Sequence, residues 1–111
     1  MITAHFDYRD MTLTCDVDGH AGGTKGQDLV CAGASMLVMT LAQKLTELRE
    51  SGIGLPEPPK TEVADGAAHL SIKAADELEF ALIRLIYNTI ASGFLLLAHN
   101  YPDKVRVGIN V

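Results

Sequence analysis

Hydrophobic and polar positions alternate from the start of the chain. Ile2, Ala4, Phe6 and Tyr8 fall on one face, and Thr3, His5 and Asp7 on the other. After Arg9-Asp10 the pattern resumes, with Met11, Leu13, Cys15 and Val17 opposed to Thr12, Thr14, Asp16 and Asp18. Period-two alternation on both sides of a short polar turn predicts a β-hairpin. Beyond a glycine-rich stretch the period changes. Val30, Ala34, Leu37, Leu41, Leu45 and Leu48 recur at spacings of three and four, the apolar stripe of a helix. Asp28 stands at its N-cap, Ser51-Gly52 ends it, and the prolines of IGLPEPPK exclude a helix or central strand.

A second hairpin is expected over TEVAD and AHLSIKA, turning near Asp65-Gly66. A second helix runs from about Ala75 to His99, with Asp76, Glu77 and Glu79 favourably placed against its N-terminal dipole. From Ala81 to Ala98 it is apolar nearly all round. One sheet face cannot bury every side of such a helix, which points to packing against another chain. Arg84, Asn88, Thr89 and Ser92 interrupt the run, whereas a membrane span needs ~20 predominantly apolar residues with few or no charges. A buried helix is expected, and no membrane partner. VRVGINV reads as a closing strand. The sum is β-β-α-β-β-α-β: a two-layer α+β fold, two helices over one face of a mixed or antiparallel sheet, in a single domain over residues 1–111.

Charge and cysteine usage narrow the function. The net charge is −5, with acids and bases scattered, and nucleic-acid recognition needs a concentrated basic surface. No nucleic-acid partner is expected. Two cysteines outside any CxxC pair make a poor disulfide framework, and MITAHFDYRD lacks the basic-then-apolar pattern of a signal peptide. Both favour a reducing cytoplasm.

The two cysteines differ. Cys15 lies on the inward side of a strand, where a free thiol behaves as a small hydrophobe. Cys31 lies in the first helical turn after Asp28, where unpaired amides and the helix dipole stabilise a thiolate. That thiolate is a nucleophile, and the same amides could receive the oxyanion of a tetrahedral intermediate. His20 sits just past the second strand, and a strand-loop-helix unit can bring the two ends together as a thiolate–imidazolium pair. The plainer alternative is a helical cysteine that fills space. Gly22, Gly23 and Gly26 are either tight-turn residues or a mobile lid over a peptide. Ser35, one turn beyond Cys31, shares its face and could bond substrate, the dyad or its own helix. Asp18 is close enough in sequence to orient His20; His5, His69 and His99 have no comparable placement. GGTKGQD lacks GxxxxGK[ST] spacing, and Cys31 with His20 falls short of a zinc site's three or four ligands. No metal or cofactor is expected. A non-catalytic peptide-binding module, or a phosphate-binding one, stays open.

GHA at 19–21 followed by G-x-D-hydrophobic-V-C-A-x-x-S at 26–35 resembles the ribosomal-processing cysteine protease Prp (YsxB-like) family. TIASGFLLLAHNYPDKVRV resembles that family's long second helix, tyrosine-proline exit and final strand. The resemblance implies a homodimeric cysteine endopeptidase, with Cys31 as nucleophile and His20 as general base. Gly19, Gly22, Gly23, Gly26, Asp28 and Ser35 then stand at supporting or substrate-contacting positions. It further implies a substrate: the N-terminal extension of a bacterial large-subunit ribosomal protein precursor (number twenty-seven), cut after a phenylalanine-containing motif. Some phages rely on members of the family to process capsid and scaffold proteins.

Overall fold

A computed structural model describes residues 1–22 and 28–110. The opening alternation becomes β1 (Ile2–Arg9) and β2 (Thr12–Gly19), paired antiparallel. Asp10 and Met11 between them both take positive φ, 49° and 69°, as expected of a two-residue turn whose twist matches the strands it joins. β3 (Lys60–Ala64) and β4 (Ala67–Lys73) form the second hairpin, and β5 (Val105–Asn110) closes the sheet. The strand order is β3-β4-β2-β1-β5, antiparallel throughout except for the parallel β1–β5 pair. The sheet is therefore mixed.

Period two places Ile2, Ala4, Phe6, Leu13, Cys15, Leu70 and Ile72 on one face, all nearly or fully buried. Helices α1 (Leu29–Glu50) and α2 (Glu77–Asn100) cover that face. α2 starts at Asp76, whose carboxylate accepts the Glu79 N–H at 2.8 Å, while the Glu79 carboxylate accepts the Ala75 N–H at 2.9 Å. The first satisfies an amide that the opening turn leaves unpaired, and the second one just before the cap. Both helices are long and apolar enough to cross a membrane by length and composition alone, yet each lends a stripe to the sheet core. In α2 that stripe is Ile83, Tyr87, Ile90, Ala91 and Phe94. Tyr87 donates to the Leu70 carbonyl at 3.2 Å, and the Phe94 ring lies tilted against Phe6 with centroids 6.0 Å apart.

The α1 stripe departs from expectation at Leu37 and, near the helix end, at Leu48, which is only partly buried. Val38 is buried and Leu37 is only partly so. Leu37 turns towards α2, where it lies over Gly93: a Cβ there would stand 2.4 Å from Leu37 Cδ2. Reciprocally, Leu97 of α2 lies over Gly33 of α1, 3.3 Å from an added Cβ. A glycine on each helix receives a leucine from the other, so the axes approach closely and hold α1 in place.

The polar interruptions of α2 also find uses. Asn88 accepts a hydrogen bond from the Tyr8 hydroxyl, and the Arg84 guanidinium lies 5.4 Å above the Tyr8 ring. Thr89 and Ser92 bond back to the carbonyls of Leu85 and Asn88. The outward side of α2 carries Leu78, Leu82, Leu85 and Leu96, all largely exposed. On the sheet face away from the helices, His69 Nδ1 meets the Asp16 carboxylate, a pairing the sequence reading did not anticipate.

Candidate active site

α1 begins where Asp28 caps it: the carboxylate accepts the N–H groups of Val30 at 2.9 Å and Cys31 at 3.1 Å. Ala32 N–H bonds the Asp28 carbonyl at 3.0 Å. The expectation that first-turn amides await an oxyanion is thus corrected for two of them. Val30 and Cys31 donate to the cap instead, because a carboxylate one turn back is their nearest acceptor.

Cys31 itself is half-buried at the floor of a groove of about 200 Å³. The groove runs between the start of α1, the exit from β2 and the β3–β4 turn. His20 and Ser35 line it, together with Ile2, Val17, Ala34, Val38 and Met39, and Val63 to Ala68 from the second hairpin. The thiol and the imidazole expected to work together therefore face the same cleft. The strand exit meets the thiol through its backbone: the N–H of Ala21, the residue after His20, donates to Cys31 Sγ at 3.4 Å.

Gly19 sets the path of this exit. Its φ is +99°, and a Cβ would lie 2.0 Å from the Met1 carbonyl oxygen, so only glycine fits. The Gly19 N–H donates to the Gly66 carbonyl at 2.8 Å, and the Met1 amino group donates to the His20 carbonyl. The His20 ring is then laid over Gly66, where a Cβ would meet Nε2 at 2.6 Å. The Asp65-Gly66 turn was legible as a turn but not as the seat of the imidazole.

Ser35 lies on the groove as its spacing predicts. The hydroxyls of Thr40, Thr46, Thr89 and Ser92 each bond the carbonyl four residues earlier, and Ser35 makes no such bond. Gly22 has φ +85° with open space around it. Gly23 and Gly26 lie outside the described residues, so the lid reading does too. Asp18 does not orient His20: it lies on the opposite face of the sheet, beside Asp16, Glu62 and His69, because its strand alternates. Among the described residues no group of three His, Cys, Asp or Glu converges as a metal site requires.

Cys15 is fully buried beneath the helices. Burial, with a smaller contribution from the Asp16 charge, pushes its thiol up to about 12. Cys15 remains a protonated core residue, as expected, and leaves Cys31 as the accessible thiol.

A half-buried cysteine near a helix start, an imidazole on the same cleft and room for a chain above them are the parts of a cysteine peptidase. The sequence model of cysteine protease Prp matches residues 1–106, and the chain belongs to that family. It is a cysteine protease. Among solved structures, the chain is similar to the essential ribosomal processing protease Prp from S. aureus in complex with a covalently linked product peptide. That likeness has 25% identity and a TM-score of 0.75, covering 99% of this chain and 100% of that one. The same S. aureus protease in complex with a substrate peptide gives 25% identity and a TM-score of 0.69 over 99% and 100% of the two chains. SMU.848 from Streptococcus mutans gives 29% and 0.67 over 99% and 94%. A comparison with curated proteins gives no match.

Proposed function

We propose that this protease removes the N-terminal extension of a bacterial large-subunit ribosomal protein precursor (number twenty-seven) in the cytoplasm, through a Cys31–His20 dyad. The observation that carries the dyad is the Ala21 N–H on Cys31 Sγ, which ties the strand exit bearing His20 to the thiol. The substrate reading is supported by the S. aureus relatives, which are described as ribosomal processing proteases and were solved with peptides.

In the forward step His20 takes the Cys31 proton and the thiolate attacks the scissile carbonyl. Collapse of the tetrahedral intermediate breaks the C–N bond, and imidazolium gives its proton to the leaving amine. Water, deprotonated by His20, then hydrolyses the acyl-enzyme and returns the thiol. Ala21 N–H, already aimed at the sulfur, is the donor best placed to follow the charge onto the carbonyl oxygen. Ser35, one turn above Cys31 and without a bond to its own helix, is free to contact the peptide.

The test is cleavage of a synthetic peptide spanning the precursor extension, followed by mass spectrometry. Cys31→Ala and His20→Ala should each lower kcat/KM by roughly 10³-fold or more with the fold intact. Undiminished cleavage by Cys31→Ala overturns the reading.

The working unit is proposed to be a homodimer joined through α2. Leu78, Leu82, Leu85, Thr89, Ser92 and Leu96 alternate at spacings of four and three, the seam of a paired helix. The four leucines are 58% to 72% exposed. Laid antiparallel on a second copy, Leu78 falls opposite Leu96, Leu82 opposite Ser92 and Leu85 opposite Thr89. The seam is self-complementary, as a two-fold interface requires.

A further inference from the structure

Among the described residues, the groove continues onto a strand with no neighbour on its far side. β3 is the edge of the sheet, and all five of its residues are exposed. α1 packs against β4 and leaves Val63, on the β3 inner face, 50% exposed. The register says which backbone groups are unused. Ala64 and Ala67 close a two-residue turn, and the pair closing such a turn exchanges hydrogen bonds. Pairing alternates, so Glu62 and Lys60 also bond β4. Thr61 and Val63 belong to the intervening pairs, and their N–H and C=O groups point off the edge. No other backbone group among the described residues bonds them. Such a row is a template for one more strand.

We propose that the peptide substrate is taken up as a sixth strand on β3, hydrogen-bonded to the backbone of Thr61 and Val63 and delivered past the Asp65-Gly66 turn to the catalytic pair. This rests on the peptidase reading above and names how the chain to be cut is held. Two features favour a peptide over any other occupant of the edge. The strand runs directly into the turn on which the His20 ring rests, so a chain paired with β3 arrives at the thiol already extended. Alternate side chains of that added strand face the side where Val63 and Met39 border the groove. Backbone pairing then supplies affinity regardless of side chain, and the groove selects apolar groups at every second position.

Proline on an edge strand removes an outward N–H without touching the ladder behind it. Val63→Pro and Thr61→Pro are therefore made in the Cys31→Ala background, with Val63→Thr as the control that keeps the amide. Binding of a fluorescein-labelled precursor-extension peptide is read by anisotropy. Each proline should weaken binding roughly 3- to 10-fold, the loss of one hydrogen bond, and Val63→Thr should change it little. Native circular dichroism, with unchanged alkylation of Cys31 in the wild-type background, reports an intact fold.

N-methylation of successive peptide amides, read on the unsubstituted β3, decides the matter even where a proline variant fails to fold. Sensitivity at every second amide supports the added strand. Uniform tolerance overturns it, as do prolines that leave binding unchanged. Efficient cleavage with no period-two sensitivity sinks this inference and leaves the peptidase reading standing. Period-two binding of a peptide that the wild-type enzyme never cuts does the reverse.

Discussion

An alanine at Gly66 would bring its Cβ to 2.6 Å from His20 Nε2 and 3.1 Å from Cε1. Comfortable contact lies at ~3.5–4.0 Å, so the ring must retreat by about 1 Å. A displacement of that size at a reacting group can cost on the order of 10²-fold in rate. Gly66 also has φ +78°, and an L-residue in the left-handed region costs about 1–2 kcal/mol. For a domain near this size that is a fall in Tm of roughly 4–10 °C.

The two effects separate cleanly with a second variant. Gly52, beyond the C-cap of α1, has φ +83° and nothing within 4 Å of an added Cβ. Gly52→Ala should lose a similar amount of stability and keep its activity, whereas Gly66→Ala should lose both. The assays are thermal unfolding and kcat/KM on the precursor peptide, well below either Tm. If Gly66→Ala matches Gly52→Ala in kcat/KM, the imidazole seated on that turn is not the one that works on the substrate.

Three further outcomes are expected. Cys15 has a thiol raised from 9.0 to about 12; below pH 9 both folded and unfolded chains are protonated there and its contribution is complete. Between pH 9.0 and about 12 only the unfolded chain releases the proton, so stability falls by up to ~1.4 kcal/mol per pH unit. Cys15→Ala should cost ~1 kcal/mol at neutral pH and flatten the alkaline slope of Tm against pH; an unchanged slope counts against the assignment. Asp28→Ala should cost 0.5–2 kcal/mol, typically ~1, and lower kcat/KM as the turn bearing Cys31 frays, while Asp28→Ser keeps most of both. Equal behaviour of the two by thermal unfolding and peptide kinetics would show that the cap does not hold the nucleophile. Leu85→Glu should give a monomer by analytical ultracentrifugation, and a dimer undisturbed by that charge would place the interface elsewhere.

What could be read from letters alone was local. The strands announce themselves by alternation, Asp28 and Asp76 by their places before apolar runs, and Cys31 by its distance from a cap. What could not be read depends on register or on backbone. The Ala21 amide on the sulfur is a main-chain donor and has no letter of its own. Gly66 beneath His20 requires knowing that β4 lies beside β2. The Asp16–His69 pair requires the same register on the other face. Leu37 has the spacing of a core residue, and only the glycine facing it on α2 explains why it leaves that stripe to Val38.

The parallel partner of β1 has its own consequence. Ile2 lines the groove, its N–H is held by the Lys104 carbonyl, and the strand that follows lies along β5. One wall of the cleft thus leans on a strand translated a hundred residues later. While the chain is still being synthesised, that wall is unsupported, and the earlier elements wait for their last neighbour to emerge. A nascent copy lacks that support until β5 has cleared the exit tunnel.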